Sequence, residues 1–154
     1  MIMAQEKHFI KARKEFDALL GWIGQADGDG LRIDQVERGL FARLLTIEFI
    51  LLEAYVAKFG CGDAGETVCR EGRTLRRSAQ PHRRRYLSIF GELKIQRFVY
   101  AVRPKQKIEH VPVDEQLGLP QGECSYVLED SLAEVVRKRV LRRGCSDALR
   151  LARR

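Results

Sequence analysis

The sequence predicts an α+β domain with an N-terminal helical hairpin, a β-hairpin or three-stranded antiparallel sheet, and a C-terminal helix. Three observations carry that expectation. Apolar residues recur at threes and fours through the first third of the chain, the spacing of a helix face. Two runs rich in aromatic and β-branched residues, Tyr86–Phe90 and Leu93–Tyr100, flank the pair Gly91-Glu92. A further apolar periodicity follows Ser125. The chain then divides into a helical part (1–63), a basic loop and β-hairpin part (64–124), and a C-terminal helix with a basic tail (125–154), all within one domain.

The first helix is expected over Ala4–Ile23, with Phe9, Phe16, Leu19, Leu20 and Ile23 on its apolar side. Gln25–Gly30 ends it. The DGDG run within that segment invites a calcium-loop reading. With Gly30 at the turn position, the closing acid would fall on Val36; with Asp27 opening the loop, Arg32 and Arg38 replace the required glycine and glutamate. Both registers fail, so the run is read as a turn. Asp34 is expected to open the second helix, with Asp34-Gln35-Val36-Glu37 at capping-box spacing. Val36, Leu40, Leu44, Ile47, Leu51 and Ala54 form its stripe, and Gly60 is a natural terminator. Phe41, Leu45, Ile50 and Tyr55 widen the stripe. It needs covering by the first helix and the hairpin, or by a second subunit.

Gly91-Glu92 suits a two-residue type II′ turn. That turn pairs Phe90 with Leu93, Ser88 with Ile95 and Tyr86 with Arg97 on one face, and Val99 extends it toward the core. Lys107–Val111 reads as a third strand ended by Pro112. A lone hairpin is marginal in water, so it requires the preceding helix as support. Cys61–Gln80 reads as a glycine-rich loop, and Ser125 as the cap of the last helix. That helix should fray beyond Arg143.

Charge is unevenly spread. Residues 1–63 hold 8 Lys/Arg and 10 Asp/Glu, whereas the remainder holds 20 and 11. A net −2 half beside a net +9 half points to a polyanionic partner, nucleic acid before membrane. Arg70, Arg73, Arg76, Arg77 and Arg83–Arg85 lie within sixteen residues that contain one acid, Glu71. Arg73, Arg76, Arg77, Arg83, Arg84 and Arg85 are the candidate DNA-binding residues, suited to phosphates rather than base edges. No C-x-x-C spacing joins Cys61, Cys69, Cys124 and Cys145, so they are read as reduced thiols of a cytoplasmic protein, and no metal or cofactor is expected. Met1–His8 lacks the apolar core of a signal peptide.

Pro112-Val113-Asp114-Glu115-Gln116-Leu117-Gly118-Leu119-Pro120, preceded by a hairpin with a central Phe90-Gly91, resembles the N-terminal region of bacterial insertion-sequence transposases of the ISKra type. Val36–Leu45 and Gly60–Val68 are also similar, so the likeness covers about residues 34–129. The resemblance implies a DNA-binding part of a transposase, truncated before a ribonuclease-H-like domain whose three carboxylates hold two divalent metals. Those carboxylates lie beyond the matching region, so no catalytic residue is assigned and no strand-transfer activity is expected of this chain alone. Asp114 is read as a cap or turn residue on an extended segment, and Glu115 as a surface charge. Expected partners are element-end DNA, a further copy, or full-length transposase, without a membrane. The alternatives are a helical interaction module that binds and inhibits full-length transposase, and a small basic DNA-binding regulator. From about Ser131 the sequence departs from the family, and 137–154 holds 8 Lys/Arg against Asp147 alone. A frameshift is one origin for such a tail.

Overall fold

The computed structural model describes residues 2–103 and 107–134. The fold is α+β, as the patterning predicts. Helix α1 (Ile2–Gln25) and helix α2 (Ile33–Ala57) form an antiparallel hairpin. Asp27 Oδ1 accepts from the Gly28 N–H at 2.8 Å, and the Leu31 N–H donates to Ala26 O at 3.1 Å. The DGDG run is therefore a helix-connecting turn. Ala12 and Leu19 of α1 and Ile47, Ile50 and Ala54 of α2 are buried. A Cβ on Gly39 would fall inside the Trp22 ring, so the missing side chain makes room for the indole against α2. The Arg43 guanidinium lies 4.7 Å from the centre of the Trp22 ring.

α2 starts one residue earlier than expected, and Arg32 rather than Asp34 is its cap residue. Gln35 Oε1 accepts from the Arg32 N–H at 2.9 Å, which is the return half of a capping box. Asp34 instead pairs with the Arg32 guanidinium at 3.4 Å. Gly60, at φ +62°, lies just past the end of α2.

Five strands follow among the described residues: β1 (Thr67–Arg70), β2 (Arg73–Arg77), β3 (His82–Ser88), β4 (Gly91–Arg97) and β5 (Tyr100–Ala101). They form an antiparallel β1-β2-β5 sheet and a separate β3-β4 hairpin. The segment read as a loop, Cys61–Gln80, therefore contains a hairpin of its own. Its turn, Glu71-Gly72, has φ of 51° and 74°, positive at both central residues as a type I′ turn requires. Glu71 is an unusual residue for that conformation, which is why the turn is not legible in the sequence. The expected third strand at Lys107–Val111 does not form; only His110 bridges to Tyr100.

The main hairpin turns two residues earlier than expected. Ser88 pairs with Gly91, Tyr86 with Leu93, Arg84 with Ile95 and His82 with Arg97. Ile89-Phe90 is the turn. The Ser88 hydroxyl secures it, accepting from the Phe90 and Gly91 N–H groups at 3.2 Å and donating to Gly91 O at 2.9 Å. The earlier turn lets β3 extend back to His82. Because the displacement is an even number of residues, each side chain keeps its face. Leu93, Ile95 and Val99 are accordingly buried, as the alternation predicts.

Helix α3 (Pro112–Gln116) carries Pro at its first position, where no intrahelical N–H is lost. Asp114 and Glu115 are therefore helical, not extended. Leu93, Ile95 and Val113 form the core that joins hairpin to α3, and Phe49, Leu52 and Val56 of α2 pack on it. The preceding helix thus supports the hairpin, as required. Tyr100 is fully buried, its hydroxyl accepting from Ala64 N–H and donating to Gly65 O, both at 2.9 Å. The 123–125 segment lies beside β3, with Leu87 N–H donating to Glu123 O and Ser125 N–H to Leu87 O, each at 2.8 Å. Ser125 caps the next helix, α4, described over 126–134: its Oγ accepts from the Leu128 N–H at 3.0 Å. The readings of the tail beyond 134 lie outside the described residues.

Gly91, at φ +147°, would place an added Cβ 3.0 Å from the Phe49 ring. Gly91→Val should therefore destabilise the protein by about 1–3 kcal/mol, through backbone strain and displacement of α2. Denaturant melts measure it; an unchanged midpoint would show that neither the φ nor the Phe49 contact holds.

Candidate nucleic-acid interface

Strand alternation sorts the arginines of β3 and β4. Arg84 and Arg97 share the inward face with Tyr86, Leu93 and Ile95, whereas Arg83, Arg85, Lys94 and Gln96 occupy the outward one. On the inward side, Asp114 of α3 meets both guanidinium groups. Arg84 Nη1 lies 2.5 Å from Asp114 Oδ2, and Arg97 Nη1 contacts the same oxygen. Arg84 Nη2 also donates to Gly122 O at 2.7 Å and to Pro120 O. The three side chains are only 11–17% exposed. Burial pushes the Arg97 guanidinium below the usual arginine value, against the pull of Asp114. Arg97 Nε and Asp114 Oδ1 are buried without partners. One carboxylate therefore faces two cations, and the node keeps a surplus positive charge.

This node is the floor of an open cleft of about 780 Å³ between β3 and the 118–123 segment. Arg83 and Arg85 stand on its β3 wall, with Glu123 and Tyr126 among its other lining residues. Arg85 pairs with Glu92 at 3.0 Å and Glu123 at 3.6 Å, both on the exposed surface. Arg83 is exposed and has no acidic partner among the described residues.

The other three candidate arginines lie on β2, in the other sheet. Arg77 pairs with Asp63 and lies 4.6 Å from the centre of the Phe98 ring. The Gly65 N–H and then Arg77 hold the Asp63 carboxyl below its ordinary value. Arg73 comes within 3.9 Å of Glu109. Arg76 is exposed without an acidic partner among the described residues. The six arginines thus separate into a cleft group and a β2 group, and only Arg76 and Arg83 of the six have no counter-ion among the described residues.

Three further basic residues join these surfaces. The outward face of Lys94 and the inward face of Arg97 are legible from strand alternation, whereas the place of Lys94 opposite Arg85 follows from the observed register. Arg70 stands in the basic cluster outside the six candidates. It meets Glu115 and His110, with His110 Nδ1 3.1 Å from Glu115 Oε1. The Arg70 hydrogen bond is the main reason the Glu115 carboxyl lies below its ordinary 4.5. Asp114 binds two cations of the protein itself, so its cap or turn reading is corrected, whereas Glu115 is the exposed surface charge expected, paired with Arg70 and His110. No group of three or more His, Cys, Asp or Glu able to hold a metal occurs among the described residues. No family model, curated protein or solved structure matches the chain.

Asp114→Asn leaves two partly buried guanidinium groups without an acid. It should cost about 3 kcal/mol in urea unfolding; a loss under about 0.5 kcal/mol would remove the node as a structural element. For Glu115, a depressed carboxyl adds stability only while ionised. Its contribution is complete above 4.5 and is lost as pH falls through the folded-state value. The difference in Tm between wild type and Arg70→Gln should therefore be largest above pH 4.5 and shrink in acid. A difference constant with pH would overturn this linkage.

Proposed function

We propose that this chain is a DNA-binding fragment related to the N-terminal region of ISKra-type transposases, and that it contacts duplex phosphates through its exposed strand arginines. The observation that carries the reading is the pair of exposed arginines, Arg76 and Arg83, that have no counter-ion among the described residues. They lie in the half of the chain whose net charge is +9. Arg73 and Arg85 join them, since their acidic partners are solvent-facing and surface pairs of this kind exchange readily for a phosphate. Lys94 stands opposite Arg85 on the outward face. Arg84 and Arg77 act in this reading as positioning residues, held by Asp114 and Asp63. The transposition part rests on the segment Pro112–Pro120 and the hairpin before it. A helical module that pairs with full-length transposase is the second reading, favoured by the exposed apolar residues of α1 and α2. No helix among the described residues is long and apolar enough to cross a membrane.

Four phosphate contacts imply a log–log salt slope near −4, at about −0.9 per phosphate. The double change Arg76→Ala, Arg83→Ala should reduce that slope by about 2 and weaken all duplexes alike. Arg84→Lys should leave the slope unchanged. Fluorescence anisotropy over a salt series measures both, with element-end and scrambled duplexes as probes. Binding that ignores salt, or a double variant with an unchanged slope, would overturn the reading.

A further inference from the structure

The helical hairpin leaves a large apolar face uncovered. On α1, Phe9, Phe16, Leu20 and Ile23 are 38–54% exposed and recur at sevens, fours and threes, so they form one stripe. On α2, Phe41, Leu44, Leu51 and Tyr55 are 41–67% exposed and form another. Each stripe lies roughly a quarter turn round from the seam between the helices, at 3.6 residues per turn. The helices run antiparallel, so quarter turns of the same sign bring both stripes to one side. α2 therefore has three apolar sides: one on α1, one on β4 and α3, and one in solvent.

We infer that this face is the seam of a homodimer, in which two helical hairpins stack as an antiparallel four-helix bundle. The inference is independent of the nucleic-acid reading. Area is the first argument. At roughly 200 Å² of full surface per large apolar residue, the exposures leave on the order of 800 Å² of the face in solvent. That exceeds the largest apolar patch of most monomers and equals one partner's share of a standard interface. Charge is the second argument. Each stripe carries one ion within it, Arg13 between Phe9 and Phe16 on α1, and Glu48 between Leu44 and Leu51 on α2. Trp22 meets Gly39, and His8 lies 3.8 Å from Glu53, a register that sets Arg13 level with Glu48. A two-fold axis parallel to the bundle keeps levels and lays α1 over the partner's α2. Arg13 of each copy then meets the partner's Glu48, twice per dimer. An axis across the bundle would lay α1 on α1 and α2 on α2, and so set like charges together. The net −2 of residues 1–63 disfavours an anionic membrane surface as the occupant, because such faces are rimmed by Lys and Arg.

The test uses the full chain in sedimentation velocity and light scattering at micromolar concentration, with circular dichroism as the folding check. A dimer is expected. Leu20→Glu and Phe41→Glu should each give a folded monomer. Arg13→Glu alone and Glu48→Arg alone should each weaken dimerisation by about tenfold or more, through two like-charge contacts. Mixing these two variants should restore dimers, because the acid introduced on α1 of one chain then meets the base introduced on α2 of the other. A monomer at every concentration overturns the inference, whether or not it binds vesicles of phosphatidylglycerol. So does a dimer unmoved by Leu20→Glu and Phe41→Glu. A dimer that both lose, but that the mixed charge variants fail to restore, overturns the α1-over-α2 arrangement.

Discussion

Asp114 carries one negative charge and faces two guanidinium groups from neighbouring strands. α3 has only five residues, too few to be stable alone. Its place is set by Val113 in the core and by Asp114 on Arg84 and Arg97. Arg84 meets the desolvation cost of its position with two further carbonyl acceptors, which also tie down the 120–122 turn. One carboxylate thus fixes β3, β4, α3 and the following loop against one another. Its unequal match of charges also leaves the adjoining cleft positive. The same contact that orders the fold therefore sets the field of the candidate interface.

The two halves of the chain separate their chemistries in space. The helical hairpin is weakly acidic and keeps an apolar face, whereas the strands display arginines on outward positions. α2 is the element common to both. Its length and its apolar residues on three sides let it close the α1 seam, support the hairpin through Phe49, Leu52 and Val56, and still expose Phe41, Leu44, Leu51 and Tyr55. If the face is a dimer seam, two basic surfaces would be carried by one bundle, an arrangement suited to a two-fold duplex site.

Ion pairing changes what the arginine cluster means. Seven arginines in sixteen residues read as a uniform basic surface. In the fold, Arg84 is nearly withdrawn from solvent, Arg77 stacks on Phe98 beside Asp63, and Arg70 is held by Glu115 and His110. Lys94, opposite Arg85, adds a cation that the cluster did not contain. Composition counts charges, whereas availability depends on which acid the chain returns to each of them.

Sequence alone determined what repeats locally. The helical spacing placed α1 and α2, the alternation chose Leu93, Ile95 and Val99 for the core, and Ser125 marked the start of α4. These follow from periods of 3.6 and 2 and from a cap that bonds three residues on. Tertiary structure decided the hairpin register, because a displacement by an even number of residues leaves every side chain on its own face and so leaves no mark on the pattern. It decided the β1–β2 hairpin, whose turn places Glu71 at positive φ. It also decided the state of the arginines. Arg77 finds Asp63 across 14 residues and Arg84 finds Gly122 across 38, separations that no local pattern spans and only the closed chain brings within bonding distance.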